Sequence, residues 1–196
     1  MRAKFELKYN RILEMLSDVA GCAQNQLILV GGTALAIFYL KHRTSIDIDL
    51  VPIGGDESTY KELLKGCLSK KGYRTKTATY ANQFVVQFDD TTIKVEIFYP
   101  QHKIQHTASF EVNGRSLLVA SLDDLLKLKL DAYKDRKAPR DLFDIVFILK
   151  SKTADFSSLK ELIRESGLPE NLSDLKNYIL SQSDYDFFLE VIKNAS

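Results

Sequence analysis

The chain is short of features that would point to several common classes of protein. It has two cysteines, Cys22 and Cys67, in 196 residues, and its 27 basic residues nearly cancel its 26 acidic residues. Two cysteines match no metal-binding spacing and are too few for a disulfide framework, which fits a reducing cytoplasm. A net charge of +1 argues against a broad surface for nucleic acid, although it is compatible with a local basic patch.

Long apolar runs are also missing from the sequence. None approaches the roughly 20 residues that a helix needs to cross a membrane. The first residues alternate between charged and apolar types, without the apolar core of a signal peptide. Repeats, low-complexity tracts and long linkers do not occur either. We therefore expect a soluble cytoplasmic protein with no membrane partner, and its 45% hydrophobic and 27% charged residues are ordinary for one.

Two consecutive glycines interrupt an apolar part of the chain. The hydrophobic segment Gln26 to Val30 predicts a strand, Gly31 and Gly32 predict a tight turn, and Thr33 begins a helix-like segment. Glycine lets the backbone approach a ligand, and the free amides at a helix N-terminus suit a phosphate. The Thr33 hydroxyl could add a hydrogen bond. Taken by itself the pattern is better explained as an ordinary connection, but the residues that follow favour phosphate binding.

Asp47 and Asp49 alternate with aliphatic residues in a short segment downstream of the glycines. On a strand, residues two apart share a face, so both carboxylates point the same way while Ile48 and Leu50 face a core. Neighbouring carboxylates repel each other, and a divalent cation is the natural reason to keep them together. The pair therefore predicts a metal site.

Glu96 is the candidate for a third acidic group. In the strand-like run from Ile93 to Phe98 it lies on the face opposite the aliphatic residues. Taken alone, it would be interpreted as part of the solvated face of an antiparallel strand. Asp89 and Asp90 lie at a predicted hairpin turn, where aspartate is common for local reasons, and we discount them.

Two later segments predict helices with a charged residue on an apolar surface. Lys129 falls near the centre of the apolar arc of the segment Leu122 to Tyr133, and Asp144 interrupts an otherwise apolar helix. A buried ammonium needs an anion, which could be a substrate phosphate or a protein carboxylate. One interpretation is that Lys129 and Asp144 both reach a nucleotide pocket; the alternative is that Asp144 pairs with Arg140 four residues earlier. His42 is interpreted as a surface loop residue because nothing nearby in sequence would orient its ring.

These motifs, taken in order, resemble a known family. Gly31-Gly32-Thr33-Ala34-Leu35, His42-Arg43, Asp47-Ile48-Asp49-Leu50, the lysine motif around Lys129 and Arg140-Asp141-Leu142-Phe143-Asp144 are similar to the AbiEii/AbiGii toxins of type IV toxin–antitoxin systems. That family belongs to the polymerase-beta-like nucleotidyltransferase superfamily. The spacing between the glycines and the aspartates is slightly longer here, and we place the extra residue in the loop Lys41 to Ser45, where it should be tolerated.

The resemblance implies an α+β (α/β) fold, with a polymerase-beta-like core built on a mixed sheet and followed by a C-terminal helical bundle. We predict a nucleotidyltransferase core over residues 1–120, and a helical region over residues 121–196 that completes the nucleotide pocket. Residues 150–196 match no motif, and their apolar positions indicate a small helical bundle. Asn113-Gly114 predicts a hairpin turn before the change to helical character.

The implied activity is transfer of a nucleoside monophosphate from an NTP to an acceptor hydroxyl, with release of pyrophosphate. Two magnesium ions would be held by Asp47, Asp49 and Glu96, and Glu96 could also accept the proton of the acceptor. Gly31, Gly32 and Thr33 would hold the phosphates, and Lys129 would neutralise charge on them. Asp141 and Asp144 both fit the last motif, and the helical pattern favours Asp144 as the functional residue.

The acceptor implied by the family is the 3′ end of tRNA or a protein hydroxyl, and the usual partner is a separately encoded antitoxin. Four basic residues near the junction of two predicted helices favour tRNA, because they could steer a phosphate backbone: Lys134, Arg136, Lys137 and Arg140. A solvated loop balanced by aspartates would also explain them. Two other functions stay open: a degenerate nucleotide-binding module without turnover, and an aminoglycoside-type antibiotic nucleotidyltransferase.

Overall fold

The computed structural model describes residues 2–195, and over those residues the strands form one seven-stranded sheet. The order across the sheet is β3-β4-β5-β2-β1-β7-β6. β1 pairs with β7, and β2 with β5, in parallel, while the other neighbours are antiparallel. The mixed sheet confirms the expected α+β class. The strands are β1 Leu27–Val30, β2 Asp47–Pro52, β3 Arg74–Thr77, β4 Gln83–Gln87, β5 Thr92–Ile97, β6 Thr107–Val112 and β7 Arg115–Ala120.

Helices lie before β1, between β1 and β2, between β2 and β3, and after β7. The short helix α2 continues directly into a π-helical segment, Leu35–Tyr39, and a 3₁₀ segment, Leu172–Asn177, precedes the last helix. The α-helices are α1 Arg2–Ala23, α2 Gly31–Ala34, α3 Glu57–Lys70, α4 Leu122–Arg136, α5 Pro139–Ser151, α6 Ser157–Ser166 and α7 Gln182–Ala195. No helix in the stretch from residue 2 to residue 195 is both long and apolar enough to cross a membrane.

Local sequence explains where several elements begin and turn. The Asp56 side chain accepts a hydrogen bond from the Thr59 amide at the start of α3. Ser121 accepts one from the Asp124 amide at the start of α4, which confirms the predicted capping residue. Pro139 occupies the first turn of α5, where its missing amide hydrogen costs no helical hydrogen bond. The predicted hairpin between β6 and β7 is confirmed.

The buried apolar side chains form two clusters. One lies between the sheet and the helices α1 and α3, and includes the fully buried Leu29, Ile48 and Val95. The other joins α4 to α7 around Phe143 and Phe188. The change from strands to helices follows β7, as the sequence predicts, whereas the division into two domains at residue 120 stays a prediction.

Cys22 and Cys67 form a disulfide between α1 and α3, with their Cα atoms 5.8 Å apart. The sequence analysis interpreted two cysteines as too few for a disulfide framework, and the structure corrects this interpretation. The two residues are 45 positions apart and come together only when both helices pack on the sheet. The cysteines therefore no longer support a reducing compartment.

Candidate functional site

Three carboxylates line one cavity of the molecule. Asp47 and Asp49 are on β2, and the parallel register with β5 places Glu96 directly beside Asp49. Residues on one face of neighbouring strands project together, so all three side chains line this cavity of about 780 Å³. A cavity of this size is typical of sites for small molecules and cofactors. The sequence prediction that these three groups meet at one face agrees with their positions here.

The carboxylates have less compensating positive charge than their number requires. Burial, together with the neighbouring charges of Asp47 and Glu96, raises the pKa of Asp49 to about 6, against the opposing effect of Lys94 and Lys129. The Lys94 ammonium lies 3.3 Å from Glu96 Oε2 and 3.8 Å from Asp47 Oδ2. Asn82 donates a hydrogen bond of 3.1 Å to the other Glu96 oxygen. Glu96 is therefore held in place, whereas Asp49 is in an environment that penalises its charge.

Gly31 is required by contact and by backbone conformation. Its φ is +70°, and a Cβ atom placed there would lie 2.4 Å from Asp49 Oδ2. A side chain at this position would therefore be strained and would displace the carboxylate. Gly32 is similarly crowded, because a Cβ atom would lie 2.6 Å from Arg43 Nη2. The turn and the aspartate strand form one unit, which explains why both motifs occur in order.

Thr33 differs from Gly31 and Gly32, which both line the cavity. Its side chain is completely buried, and its hydroxyl donates to the Asp47 carbonyl and lies 2.9 Å from Ser45 Oγ. The hydroxyl thus fixes the backbone at the first aspartate. Ser45 lines the cavity in its place, a residue that sequence reasoning missed because it lies in an irregular segment.

The segment from Lys41 to Ser45 is a buried connection. His42, Arg43, Thr44 and Ser45 are all at most 6% exposed, and the Thr44 amide donates to the Tyr178 carbonyl. The expectation of a tolerant surface loop is wrong, because these residues pack between the sheet and the helical region. An insertion here must fit the same contacts.

His42 and Arg43 are oriented by Asp144, 102 and 101 residues away in sequence. Arg43 donates from Nε and Nη2 to the two Asp144 oxygens, both at 2.6 Å. His42 Nε2 lies 2.8 Å from Asp144 Oδ1, and its ring stacks on Phe143. The interpretation of His42 as a surface residue is therefore wrong. Burial lowers the pKa of His42, outweighing the opposing contact with Asp144, so the ring is neutral.

Lys129 lies between two carboxylates of α5. Its ammonium is 2.8 Å from Asp141 Oδ1 and 2.7 Å from Asp144 Oδ2. Arg136 donates to both oxygens of Asp141. Burial alone would raise the pKa of Asp141 and of Asp144, but the surrounding cations outweigh it and hold both below the ordinary value. Lys129 lines the cavity, whereas both aspartates lie behind it.

This helical network carries more positive than negative charge. Three cations, Arg43, Lys129 and Arg136, face two carboxylates, so one positive charge is left beside the cavity. The alternative pairing of Asp144 with Arg140 does not occur. Arg140 also lines the cavity, and no ion pair or side-chain hydrogen bond within residues 2–195 holds it. Arg140 is thus available to a ligand.

The group of four basic residues that the sequence predicts to attract tRNA is smaller in the structure. Arg136 is committed to Asp141, and Lys134 lies 4.0 Å from Glu165 in an exposed pair that contributes little energy. Lys134 and Arg140 line the cavity, and Lys137 is exposed at the end of α4. We use the name basic lip for Lys134, Lys137 and Arg140.

The donor set at the strands fits a hard divalent cation. Three carboxylates supply oxygen ligands of the kind that magnesium prefers, and the pKa of Asp49 is raised by burial and, after it, by repulsion from Asp47 and Glu96 that a cation would relieve. Over residues 2–195, however, no three His, Cys, Asp or Glu side chains are close enough together to hold a metal ion as they stand. The side chains of Asp47 and Glu96 instead flank Lys94.

Comparisons with known proteins agree with this geometry. Residues 14–172 match the model of a family described as "Nucleotidyl transferase AbiEii toxin, Type IV TA system". A search for similar sequences among curated proteins found no match.

Solved structures with the same fold come from bacteria and from a fungus. JHP933 from Helicobacter pylori has a TM-score of 0.63 at 21% identity, over 96% of this chain and 89% of that chain. An antigenic nucleotidyltransferase-like protein from Paracoccidioides brasiliensis has a TM-score of 0.55 at 18% identity, over 89% and 96% of the two chains. The antibiotic-resistance factor ANT(2″)-Ia has a TM-score of 0.50 at 13% identity, over 80% and 91%. At these identities the likeness concerns the fold.

Proposed function

Since the chain belongs to the family of AbiEii nucleotidyl transferase toxins of type IV toxin–antitoxin systems, we propose that it transfers a nucleoside monophosphate from an NTP to an acceptor hydroxyl. The observation that carries the proposal is the contact between Gly31 and Asp49 in the wall of the cavity, with Glu96 in register beside them. This arrangement places the backbone of the glycine turn and three carboxylates around one cavity.

In the proposed reaction the acceptor oxygen attacks the α-phosphorus of the NTP. A new phosphorus–oxygen bond forms, the bond from the α-phosphorus to the bridging oxygen breaks, and pyrophosphate leaves with that electron pair. Glu96, held by Asn82, accepts the hydroxyl proton. Asp47, Asp49 and Glu96 are also the residues that would hold magnesium, which when bound supplies positive charge to the reacting phosphates.

The rest of the cavity supplies binding energy for a triphosphate. The backbone of Gly31 and Gly32 and the Ser45 hydroxyl form one wall. Arg140 is an unpaired cation on the opposite, helical side. Lys129 acts as part of the network with Asp141 and Asp144, whose surplus positive charge faces the cavity. We assign Asp144 the role of positioning Lys129 and Arg43.

For the acceptor we propose the 3′ region of tRNA. Lys134 and Arg140 of the basic lip line the cavity, where they would attract a phosphate backbone in spite of the near-neutral total charge. Charge reversal of Lys134 and Lys137 should reduce labelling of tRNA and weaken its dependence on salt, with NTP binding unchanged. Labelling of polypeptides only by the wild-type protein would overturn the RNA assignment and leave nucleotidyl transfer intact.

An aminoglycoside acceptor is less compatible with the cavity. A polycationic drug needs a predominantly acidic cleft, whereas the cavity walls carry five acidic and six basic side chains. The antibiotic-resistance factor ANT(2″)-Ia shares the fold, but the charges of this chain favour an anionic substrate.

The decisive experiment separates transfer from simple binding. Calorimetric titration with each NTP and magnesium measures binding, and a parallel assay measures pyrophosphate release in the presence of total tRNA. We expect both in the wild-type protein. Binding without pyrophosphate release would instead indicate a nucleotide-binding module.

The partner proposed from the family is an antitoxin encoded separately. Expression of the chain should then arrest growth, and co-expression of the neighbouring gene should restore it. Glu96→Gln, which retains the shape of the side chain, serves as the inactive control. Growth arrest by this variant equal to that of the wild type would separate toxicity from nucleotidyl transfer.

A further inference from the structure

Lys94 places a cation inside the row of carboxylates. It lies on β5 two residues before Glu96, and the parallel register sets it directly beside Asp47 on β2. Its ammonium contacts Glu96 at 3.3 Å and Asp47 at 3.8 Å, with the side chain 35% exposed to the cavity. The sheet therefore holds a positive charge at the position where two of the three proposed metal ligands converge.

This contact has a physical consequence for any second cation. Asp47 and Glu96 each turn an oxygen towards the ammonium, so those oxygens are engaged before a metal ion arrives. An ammonium and a divalent ion that contact the same oxygens would lie close together with no solvent between them. Their like charges would therefore repel each other strongly. The long, flexible lysine stem allows the ammonium to move away without a change in the backbone.

We propose that Lys94 is a built-in counter-ion of the metal site: it occupies the carboxylates in the metal-free protein and is displaced when a divalent cation binds. Lys94 thereby lowers the affinity for metal and stabilises the carboxylate cluster in its absence. The inference rests on the proposed function in one respect, namely that Asp47, Asp49 and Glu96 bind the metal. It explains why these carboxylates are close in the sheet yet do not form a ready metal site.

Manganese binding tests the proposal directly, without reference to catalysis. We would titrate Mn²⁺ into the wild type, Lys94→Met, Lys94→Arg and Lys76→Met, and measure free Mn²⁺ by electron paramagnetic resonance. Lys76 is the matched control, because it lies in the same row of the sheet two strands away, paired through Val85. Both methionine variants remove one positive charge, but only Lys94→Met removes it from the carboxylates.

We expect Lys94→Met to bind Mn²⁺ about tenfold more tightly than the wild type, which corresponds to about 1.4 kcal/mol. Lys94→Arg keeps the cation and should stay within about twofold of the wild type, as should Lys76→Met. Lys94→Met should also melt at a lower temperature than the wild type without metal, and show a larger increase on addition of Mg²⁺. Lys94→Gln provides the same comparison if the methionine variant folds poorly.

Equal Mn²⁺ affinity of Lys94→Met and Lys76→Met would overturn the inference. Asp49→Asn distinguishes that result from failure of the proposed function. If Asp49→Asn abolishes Mn²⁺ binding while the Lys94 variants change nothing, the metal site stands and the counter-ion role does not. If neither the wild type nor Lys94→Met binds Mn²⁺, both the metal site and the counter-ion are wrong.

Discussion

The molecule holds two groups of carboxylates that differ in how their charge is compensated. On the helical side, Asp141 and Asp144 are completely buried, and each accepts contacts from at least two cations. On the sheet, Lys94 pairs with Asp47 and Glu96, and its charge only partly offsets the raised pKa of Asp49. The consequence is visible in opposite pKa shifts, lowered for Asp141 and Asp144 and raised for Asp49. Paired carboxylates organise the structure, whereas carboxylates left in excess favour a ligand of opposite charge.

The largest expected effect is the loss of nucleotidyl transfer when a carboxylate of the sheet group is removed. We predict that Asp49→Ala lowers nucleotidyl transfer by at least about a thousandfold. The substitution removes a ligand of the magnesium ion whose positive charge would stabilise the reacting phosphates. The fold should remain intact or become slightly more stable, since like-charge repulsion is relieved. Labelled NTP with total tRNA measures the activity. Asp89→Ala, at an exposed hairpin position, is the control, and full activity of Asp49→Ala would refute the site.

The second prediction concerns the paired group. Asp144→Ala should lower the free energy of unfolding by about 3–5 kcal/mol, because Arg43 would be left buried without a carboxylate and Lys129 would keep only Asp141. Urea unfolding of the wild type and the variant measures the difference. Asp174→Ala removes an exposed aspartate from the same region and should change stability by less than about 0.5 kcal/mol. Comparable small losses in both variants would contradict the division between the two groups.

The third prediction concerns the disulfide, which links two helices that pack on the sheet. The disulfide between Cys22 and Cys67 closes a loop that contains the glycine turn and both aspartates of β2. Reduction, or the double change Cys22→Ser and Cys67→Ser, should lower the free energy of unfolding by about 2–4 kcal/mol. Thermal unfolding with and without reductant gives the measurement. Unchanged melting in the serine variant would show that the cross-link adds nothing to packing.

The smallest effect is a difference in pH dependence between the groups. The folded-state pKa of Asp49 is raised to about 6, above an unfolded value near 4, so the metal-free protein loses stability from this residue as pH rises through that window. Asp141 and Asp144, with lowered pKa values, contribute stability above about pH 4 and lose it as pH falls.

Urea unfolding of metal-free protein at pH 4.5 and pH 7 tests these opposite signs. Relative to the wild type, Asp49→Asn should be more stable at pH 7 than at pH 4.5 by about 1 kcal/mol, a value reduced from the full shift because the side chain is partly solvated. A constant difference at both pH values would mean that Asp49 titrates normally. The comparison would then rest on pairing alone.

Much of the fold could be predicted from local patterns. Alternation of polar and apolar residues located β2 and β5, and Asn113-Gly114 located the hairpin between β6 and β7. The same alternation placed Asp47 and Asp49 on one face of β2 and Glu96 on the polar face of β5, since a strand has a period of two residues, and the resemblance implied that the three form one site. The family resemblance added the order of the motifs, and the family match confirms it.

Sequence reasoning failed where the deciding contacts are distant along the chain. His42 has no orienting neighbour in sequence, but Asp144 reaches it from 102 residues away. Thr33 follows the glycines, as phosphate-binding residues often do, yet its hydroxyl is bound to the backbone of Asp47. Ser45 replaces it in the cavity wall. None of these contacts has a periodic signal that a single sequence would show.

The sequence by itself therefore placed Asp47, Asp49 and Glu96 on the polar faces of their strands and the two glycines at a turn. Strand alternation and the backbone freedom of glycine are local properties of the chain. It could also show that Lys129 and Asp144 need partners, because a charge on an apolar helical surface is costly. Only the packed structure decided which partners they have and which carboxylates stay uncompensated. Those outcomes depend on strand register and helix packing, which bring together side chains about a hundred residues apart.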